Sequence, residues 1–377
     1  MSKYLGQIPR RALLGAAGAT GLGLAGGFFA GVKVAQAQAL TGAVPVVDSL
    51  SIRVVTDSYF HQFAAADSAP GLQVRRPMLP PTKGLPRTLI NEWGLALHLE
   101  STREGVSRQM LIDFGFSSAA LNNNLELLGI DPSKLDAMLL THGHYDHFGG
   151  MVGFLQQHGG NLKKGLSLYL GGEECFCTRE TGPVNAPSNF GTLDRHAIAK
   201  ANVQVVFAEK ASVMAGHAFT TGYIPLVSFE KPMQPTRMKV GIGTDGLGCA
   251  PSEVPPEKKT LTIAPDDFQH EQATCFHIKG KGLVVLTSCG HRGIVNSVRA
   301  AMQVSGINKI HAIIGGFHLM PMPLDYVRTT VAELKTLNPD FLIPMHCSGL
   351  TFYEEAKAQL PGRVPLASTG TVFMLGG

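Results

Sequence analysis

Six cysteines in 377 residues are too few to staple a chain of this length, so a disulfide scaffold is excluded and stability must come from a buried core. A chain this long buries most of its apolar surface without such help. Cys175 and Cys177 lack a matching second pair, which makes them a poor metal knuckle and leaves them as buried or disulfide-bonded residues. There is no Gly-x-Ser-x-Gly elbow, which removes the usual serine-hydrolase route. No internal repeat suggests a solenoid. Long runs of one charge sign are also missing. Of the 32 lysines and arginines, Lys3, Arg10, Arg11 and Lys33 fall before residue 40 with no acid among them, and the rest balance the 28 acidic residues. A chain neutral beyond residue 39 offers no electrostatic footprint for nucleic acid or an anionic membrane.

The excess charge belongs to a leader. Arg10-Arg11 precedes a Gly/Ala-rich apolar run reaching about Val32, and Ala35-Gln36-Ala37-Gln38-Ala39 offers two overlapping A-x-A cleavage boxes. Paired arginines ahead of a weakly apolar run read as a twin-arginine export signal over residues 1–39. The run approaches the length of a membrane span, but its glycines and alanines make a poor one. The expectation is therefore a periplasmic protein of residues 40–377, with the twin-arginine translocation machinery as partner and no stable membrane association after cleavage.

Beyond a loose stretch at 40–50, β-rich and helical segments alternate. Ser51–Ser58 and Leu95–Ser101 read as strands flanking a Pro-rich loop, Pro70 to Pro86. Gln109–Gly115 reads as a strand ending in a turn, Ser118–Leu128 as a helix, and Met138–Thr141 as a short buried strand. Later strands are predicted at Gly282–Thr287, His311–Gly315 and Phe341–Pro344, with helices to about Val304 and over Asp325–Leu337. This alternation implies an α/β architecture with crossover connections. Residues 230–265, rich in Pro, Gly and Lys, read as an insertion or flap. Histidines fall just after the strands, where loops converge on a site.

The densest cluster is Thr141-His142-Gly143-His144-Tyr145-Asp146-His147. It packs four potential metal ligands into six residues directly after a buried strand, with Gly143, Gly149 and Gly150 permitting a tight loop. The segment resembles the H-x-H-x-D-H signature of the metallo-β-lactamase superfamily. Other pieces resemble the branch typified by an archaeal dihydropterin-methyl-ribofuranosylaminobenzene phosphate synthase. They are Thr221-Gly222-Tyr223-Ile224-Pro225, Phe229-Glu230, Glu271-Gln272, Cys289-Gly290-His291-x-Gly293-Ile294-Val295-Asn296, Gly315-Gly316-Phe317-His318-Leu319 and His346-Cys347-Ser348-Gly349. The resemblance runs in order over about residues 50–377.

The resemblance implies an αββα sandwich holding two divalent metal ions, Zn²⁺ first, with Mn²⁺ or Fe²⁺ as alternatives. His142 and His144 would serve one metal, Asp146, His147 and His346 the other, and Asp113 would buttress the loop. The place where many superfamily members carry a bridging Asp holds Cys289 instead, with His291 two residues on. Either could complete the first metal's shell. His270 is either a further ligand or a solvated residue. His318 is the candidate acid/base group or supporting residue, with Asp146 able to accept a proton. His61, His98, His158, His196, His217, His277 and His311 read as structural. A flavodiiron-type site would carry Glu at position 144, so His144 argues against it. The expected activity is hydrolysis of a small-molecule ester, phosphoester, lactone or sulfate through a hydroxide shared between the metals. Two alternatives stand: a pterin-synthase-like transferase or lyase, and a non-catalytic metal- or ligand-binding protein.

Overall fold

The structure, a computed structural model, describes residues 28–29 and 32–376, except 67, 80–83 and 234. The Arg10-Arg11 pair lies outside the described residues. Continuous apolar runs become strands buried on both faces, as Gly282–Thr287 and Ile310–Gly315 show. They belong to two large sheets. A ten-stranded sheet runs in the order Phe28–Phe29, Val32–Gln36, Gln204–Phe207, Ser167–Leu170, Ala137–Leu139, Val106–Ile112, Ala96–Arg103, Ser49–Thr56, Val372–Gly376, Leu72–Arg75. The second runs Lys210–Met214, Ala218–Gly222, Thr274–Ile278, Gly282–Thr287, Ile310–Gly315, Phe341–Pro344, with Val46–Val47 added beside Thr274–Ile278.

Three apolar cores give the layering. One lies between the sheets, where Ile52, Leu97 and Met110 meet Phe276, Val284 and Ile314. Another joins the first sheet to the helices Ser118–Leu127, Met151–His158 and Arg195–Lys200, through Leu121, Phe154 and Ile198. The third joins the second sheet to Ile294–Ser305, Leu324–Thr336 and Leu350–Gln359, through Val298, Val331 and Phe352. Helix, sheet, sheet, helix is the αββα sandwich expected from the motifs.

Two stretches are more ordered than their composition suggests. Val32–Gln36, inside the expected leader, is a parallel strand against Gln204–Phe207 with Val32 and Ala35 buried. Its Val-Lys-Val alternation is β-like, although the surrounding alanines and glycines disguise it. The cleavage expected at Ala37 or Ala39 would remove this strand. Residues 40–50 bury Val44, Val47 and Leu50, because Val46–Val47 pairs with His277 and Ile278.

The expected flap is half sheet. Arg237–Lys239 and Ile263–Pro265 join Thr178–Thr181 and Ser188–Gly191 in a four-stranded sheet. A Cys177–Cys249 disulfide ties the same segments together. Among the described residues, no helix is long and apolar enough to cross a membrane.

The topology positions the site. Val106–Ile112 runs parallel to Ala137–Leu139, and Gly282–Thr287, Ile310–Gly315 and Phe341–Pro344 run parallel to one another. The loops leaving the C-terminal ends of these strands carry Asp113, His142–His147, Cys289–His291, His318 and His346. Parallel pairing therefore delivers all of them to one edge of the sandwich.

Candidate metal centre

The loop after Ala137–Leu139 is held from below by Asp113, which is fully buried. Its Oδ1 accepts from the Thr141 backbone N–H at 2.8 Å, and its Oδ2 accepts from the Thr141 hydroxyl and His147 Nδ1, each at 2.8 Å. That bond fixes the His147 tautomer and turns Nε2 inward. His147 Nε2 lies 3.2 Å from Cys289 Sγ and 3.5 Å from Asp146 Oδ2, and His346 Nε2 lies 3.3 Å from the same carboxylate oxygen.

Two buried donor groups result. His142, His144 and His291 form one; Asp146, His147, Cys289 and His346 form the other; within each, the donor atoms lie within 4.8 Å of one another. The structure thus brings every expected ligand together and distributes the uncertain pair. His291 joins the first group, whereas Cys289 sits with the second rather than closing the first. Cys289 is also 3.4 Å, sulfur to sulfur, from Cys347, which with His318 forms a third cluster around it.

The donor atoms fit a metal. His142 Nε2, Asp146 Oδ1, both ring nitrogens of His291 and His346 Nδ1 are buried without a protein partner. Bare buried polar atoms are costly, so such a convergence is the signature of a cation site. Burial, then the neighbouring imidazoles, push His142 and His291 well below the usual imidazole range, which leaves them neutral as ligands should be. Burial opposes ionisation of Asp146, yet His147 and His346 hold its carboxyl well below the ordinary value. For His147 the balance reverses: burial lowers it, but Asp146 and Asp113 raise it to about 10, so a cation bound at Nε2 would displace a proton there. The centre is electrostatically prepared for positive charge.

Backbone strain is concentrated here. Asp113, Phe268, His318 and His346 all have positive φ, at 58, 57, 48 and 51°. Non-glycine residues hold that conformation only where the surroundings impose it. For His346 the restraint is Asp57, whose Oδ1 accepts from the His346 N–H at 2.9 Å. For His318 the backbone N–H points at Cys347 Sγ, 3.2 Å away, while its Nδ1 is buried without a partner.

Residues 104–164 match the family model described as the metallo-beta-lactamase superfamily. A metal-dependent hydrolase of the beta-lactamase superfamily, known from its crystal structure, superposes with a TM-score of 0.60 over 86% of this chain and 98% of its own, at 20% identity. The chain has the metallo-β-lactamase fold. It also resembles the 7,8-dihydropterin-6-methyl-4-(beta-D-ribofuranosyl)-aminobenzene-5'-phosphate synthase of Methanocaldococcus jannaschii. Identity to that protein is 27% over 277 residues, covering 71% of this chain and 86% of the relative. An uncharacterized protein of the same organism is 25% identical over 248 residues, 64% of this chain and 80% of its own.

Within this metallo-β-lactamase fold, several supporting residues escape sequence reasoning. His144 Nε2 bonds to the Thr236 hydroxyl at 2.9 Å, and that hydroxyl donates to Asp266 Oδ2 at 2.8 Å, leaving His144 Nδ1 for the first group. Asp266 also receives Arg179 Nε at 3.1 Å, and both side chains are fully buried. His270 is buried rather than solvated and lies outside both donor groups. Its Nε2 faces two donors, the Gly143 N–H at 3.2 Å and Arg179 Nη2 at 2.9 Å, so it props the motif loop. Phe268 stacks on the His291 ring at 3.8 Å with 4° between the planes. Glu271 accepts from the backbone N–H groups of His291 and Arg292, each at 2.8 Å, fixing the turn that carries His291. Of these, only His270, as a candidate ligand, and Glu271, through the Glu271-Gln272 piece, carried a sequence signal.

Proposed function

We propose that the chain is an exported, periplasmic hydrolase using two divalent metal ions, most readily Zn²⁺, on a small-molecule ester, lactone, phosphoester or sulfate. The observation that carries this reading is the pair of adjoining donor groups, His142/His144/His291 and Asp146/His147/Cys289/His346, with their partnerless buried atoms. Bound there, two cations would polarise the scissile group and lower the pKa of water to about 7.

The protein's own residues do the rest. Asp146 is kept ionised by His147 and His346 and has Oδ1 unpaired, so it can take the proton of the attacking water. As the carbon–oxygen or equivalent bond breaks, His318, whose Nδ1 is unpaired, protonates the leaving oxygen. Export is supported by the Arg10-Arg11 leader and by the Cys177–Cys249 disulfide, which persists best in an oxidising compartment.

The test is metal analysis of the purified protein together with a panel of chromogenic esters, phosphodiesters and sulfates. Two ions per chain and turnover are expected. His318→Asn should lower kcat by roughly 10²- to 10⁴-fold at unchanged metal content. Full activity in His142→Ala refutes the mechanism. The relationship to the synthase favours one competing reading, carbon–nitrogen bond formation. Incorporation of an added amine into product would establish it instead.

A further inference from the structure

A cavity of about 650 Å³ opens beside the second donor group, and His346 is among the residues that border it. That volume suits a drug-sized small molecule. Its wall is apolar and aromatic, with Tyr59, Trp93, Met345, Leu350, Tyr353 and Leu366 among the contributors. Trp93 lies over His346 with ring centroids 5.0 Å apart, so an occupant packed on the Trp93 ring lies one ring away from a metal ligand. Tyr59, Trp93, Met320 and Leu350 are all exposed although large and apolar, and all four border this one opening. Such a gathering marks a binding surface rather than random exposure.

The charges around the cavity are of one sign. Among its described lining residues there is no lysine or arginine, and the carboxyl groups are Asp57 and Glu354. A phosphate, sulfate or carboxylate tail would meet acids and no base. The name of the similar synthase carries a phosphate, for which this wall has no counter-charge.

Resting on the hydrolase reading above, we infer that the non-reacting part of the substrate is an uncharged apolar chain or ring held in this cavity. Substrates whose non-reacting part ends in a phosphate, sulfate or carboxylate fall away. Each methylene buried there raises apparent affinity roughly three- to fourfold.

Two readouts on the metal-loaded full chain separate the cavity from the chemistry. The first is kcat/KM for p-nitrophenyl acetate, butyrate and hexanoate, and for the mono-p-nitrophenyl ester of adipic acid, whose chain ends in a carboxylate. A rise of at least tenfold from acetate to hexanoate is expected, carried by KM, with the adipate slower than the hexanoate. The second is the fluorescence of Trp93, the protein's single tryptophan. Titration with N-hexylacetamide should change it saturably, and N-methylacetamide at the same concentrations should not. Leu350 is 73% exposed, so Leu350→Arg should fold normally and weaken amide binding at least tenfold, with Leu350→Met restoring it. A flat chain-length series, a preference for the adipate, or Trp93 fluorescence indifferent to the hexyl amide overturns the inference. Saturable amide binding with no ester cleaved would uphold the cavity's ligand class and sink the hydrolase reading. Ester cleavage without chain-length dependence would do the opposite.

Discussion

Asp113→Asn is the sharpest perturbation of the centre, because it changes one atom and should affect one metal. The position has φ of 58°, which asparagine tolerates better than most residues, so the backbone can stay in place. The amide oxygen can still accept from the Thr141 N–H, now at 2.8 Å from Oδ1. The amide nitrogen, however, would face His147 Nδ1, which at present donates to Oδ2 over 2.8 Å. Two donors cannot face each other. His147 must then move its proton to Nε2, the atom 3.2 Å from Cys289 Sγ and 3.5 Å from Asp146 Oδ2. A protonated Nε2 is no ligand.

Loss of such a supporting partner typically costs ten- to a hundredfold in metal affinity, or about 1.4–2.8 kcal/mol. Of the first group, His142, His144 and His291, only His142 is linked to Asp113, and only through the Thr141 hydroxyl, which can rotate, so this group should keep its ion. Weakening a buried charge-assisted bond should also lower folding stability by about 1.5–3 kcal/mol. Competition against a chromogenic chelator should therefore show one ion held as in the native protein and one released ten- to a hundredfold more easily. Retention of both ions at native affinity refutes the tautomer argument. Equal weakening of both, in a folded protein, refutes the division into two groups.

Three further outcomes are expected from the surroundings. A Cβ at Gly143 would lie 2.5 Å from Arg179 Nη1, whose guanidinium is fixed by the carbonyls of Glu174 and Cys177 and by Asp266. Gly143→Ala should thus cost about 1–3 kcal/mol of stability and lower metal affinity, read by urea unfolding and the same chelator assay; native values for both would show that the guanidinium gives way. His98 is lowered to about 4, first by burial, against 6.5 in the unfolded chain. The unfolded state binds the extra proton, so this contribution is complete above pH 6.5 and lost as pH falls towards 4, by about 3 kcal/mol; His98→Gln should lose correspondingly less stability between pH 7 and 4, and an acid loss equal to that of the native protein would contradict the assignment. The Cys177–Cys249 bridge spans 72 residues, and replacing both by serine should cost about 2–4 kcal/mol in denaturant, against no change if the bridge does not form.

The ligands were legible in the sequence because their signals are local. Gly282–Thr287, Ile310–Gly315 and Phe341–Pro344 are short apolar runs buried at every position, and each hands the chain to a histidine or cysteine within a few residues. The apolar run and its next few residues are enough to place such a ligand at a strand end. The αββα layering came through the motif's resemblance, and the helices near Ser118, Ile294 and Leu324 came through their flanks.

The contacts that stayed hidden are joined only by folding. Arg179 meets Asp266 across 87 positions, Gly143 meets His270 across 127, and His346 is held by Asp57 across 289. Local pattern assigns a charged residue in a Pro/Lys-rich stretch to the surface, yet Asp266 is fully buried because Arg179 and Thr236 satisfy its oxygen there. Val32–Gln36 is hidden for the same reason, since its partner strand lies at Gln204–Phe207. The same distinction explains why Cys289 could be named as a ligand but was assigned to the first ion, whereas it sits with the second group. Its neighbours His147 and Cys347 arrive from different sheets, 142 and 58 positions away. Which donors share a cation is therefore a property of how the two sheets meet, and the Asp113→Asn experiment tests that property directly.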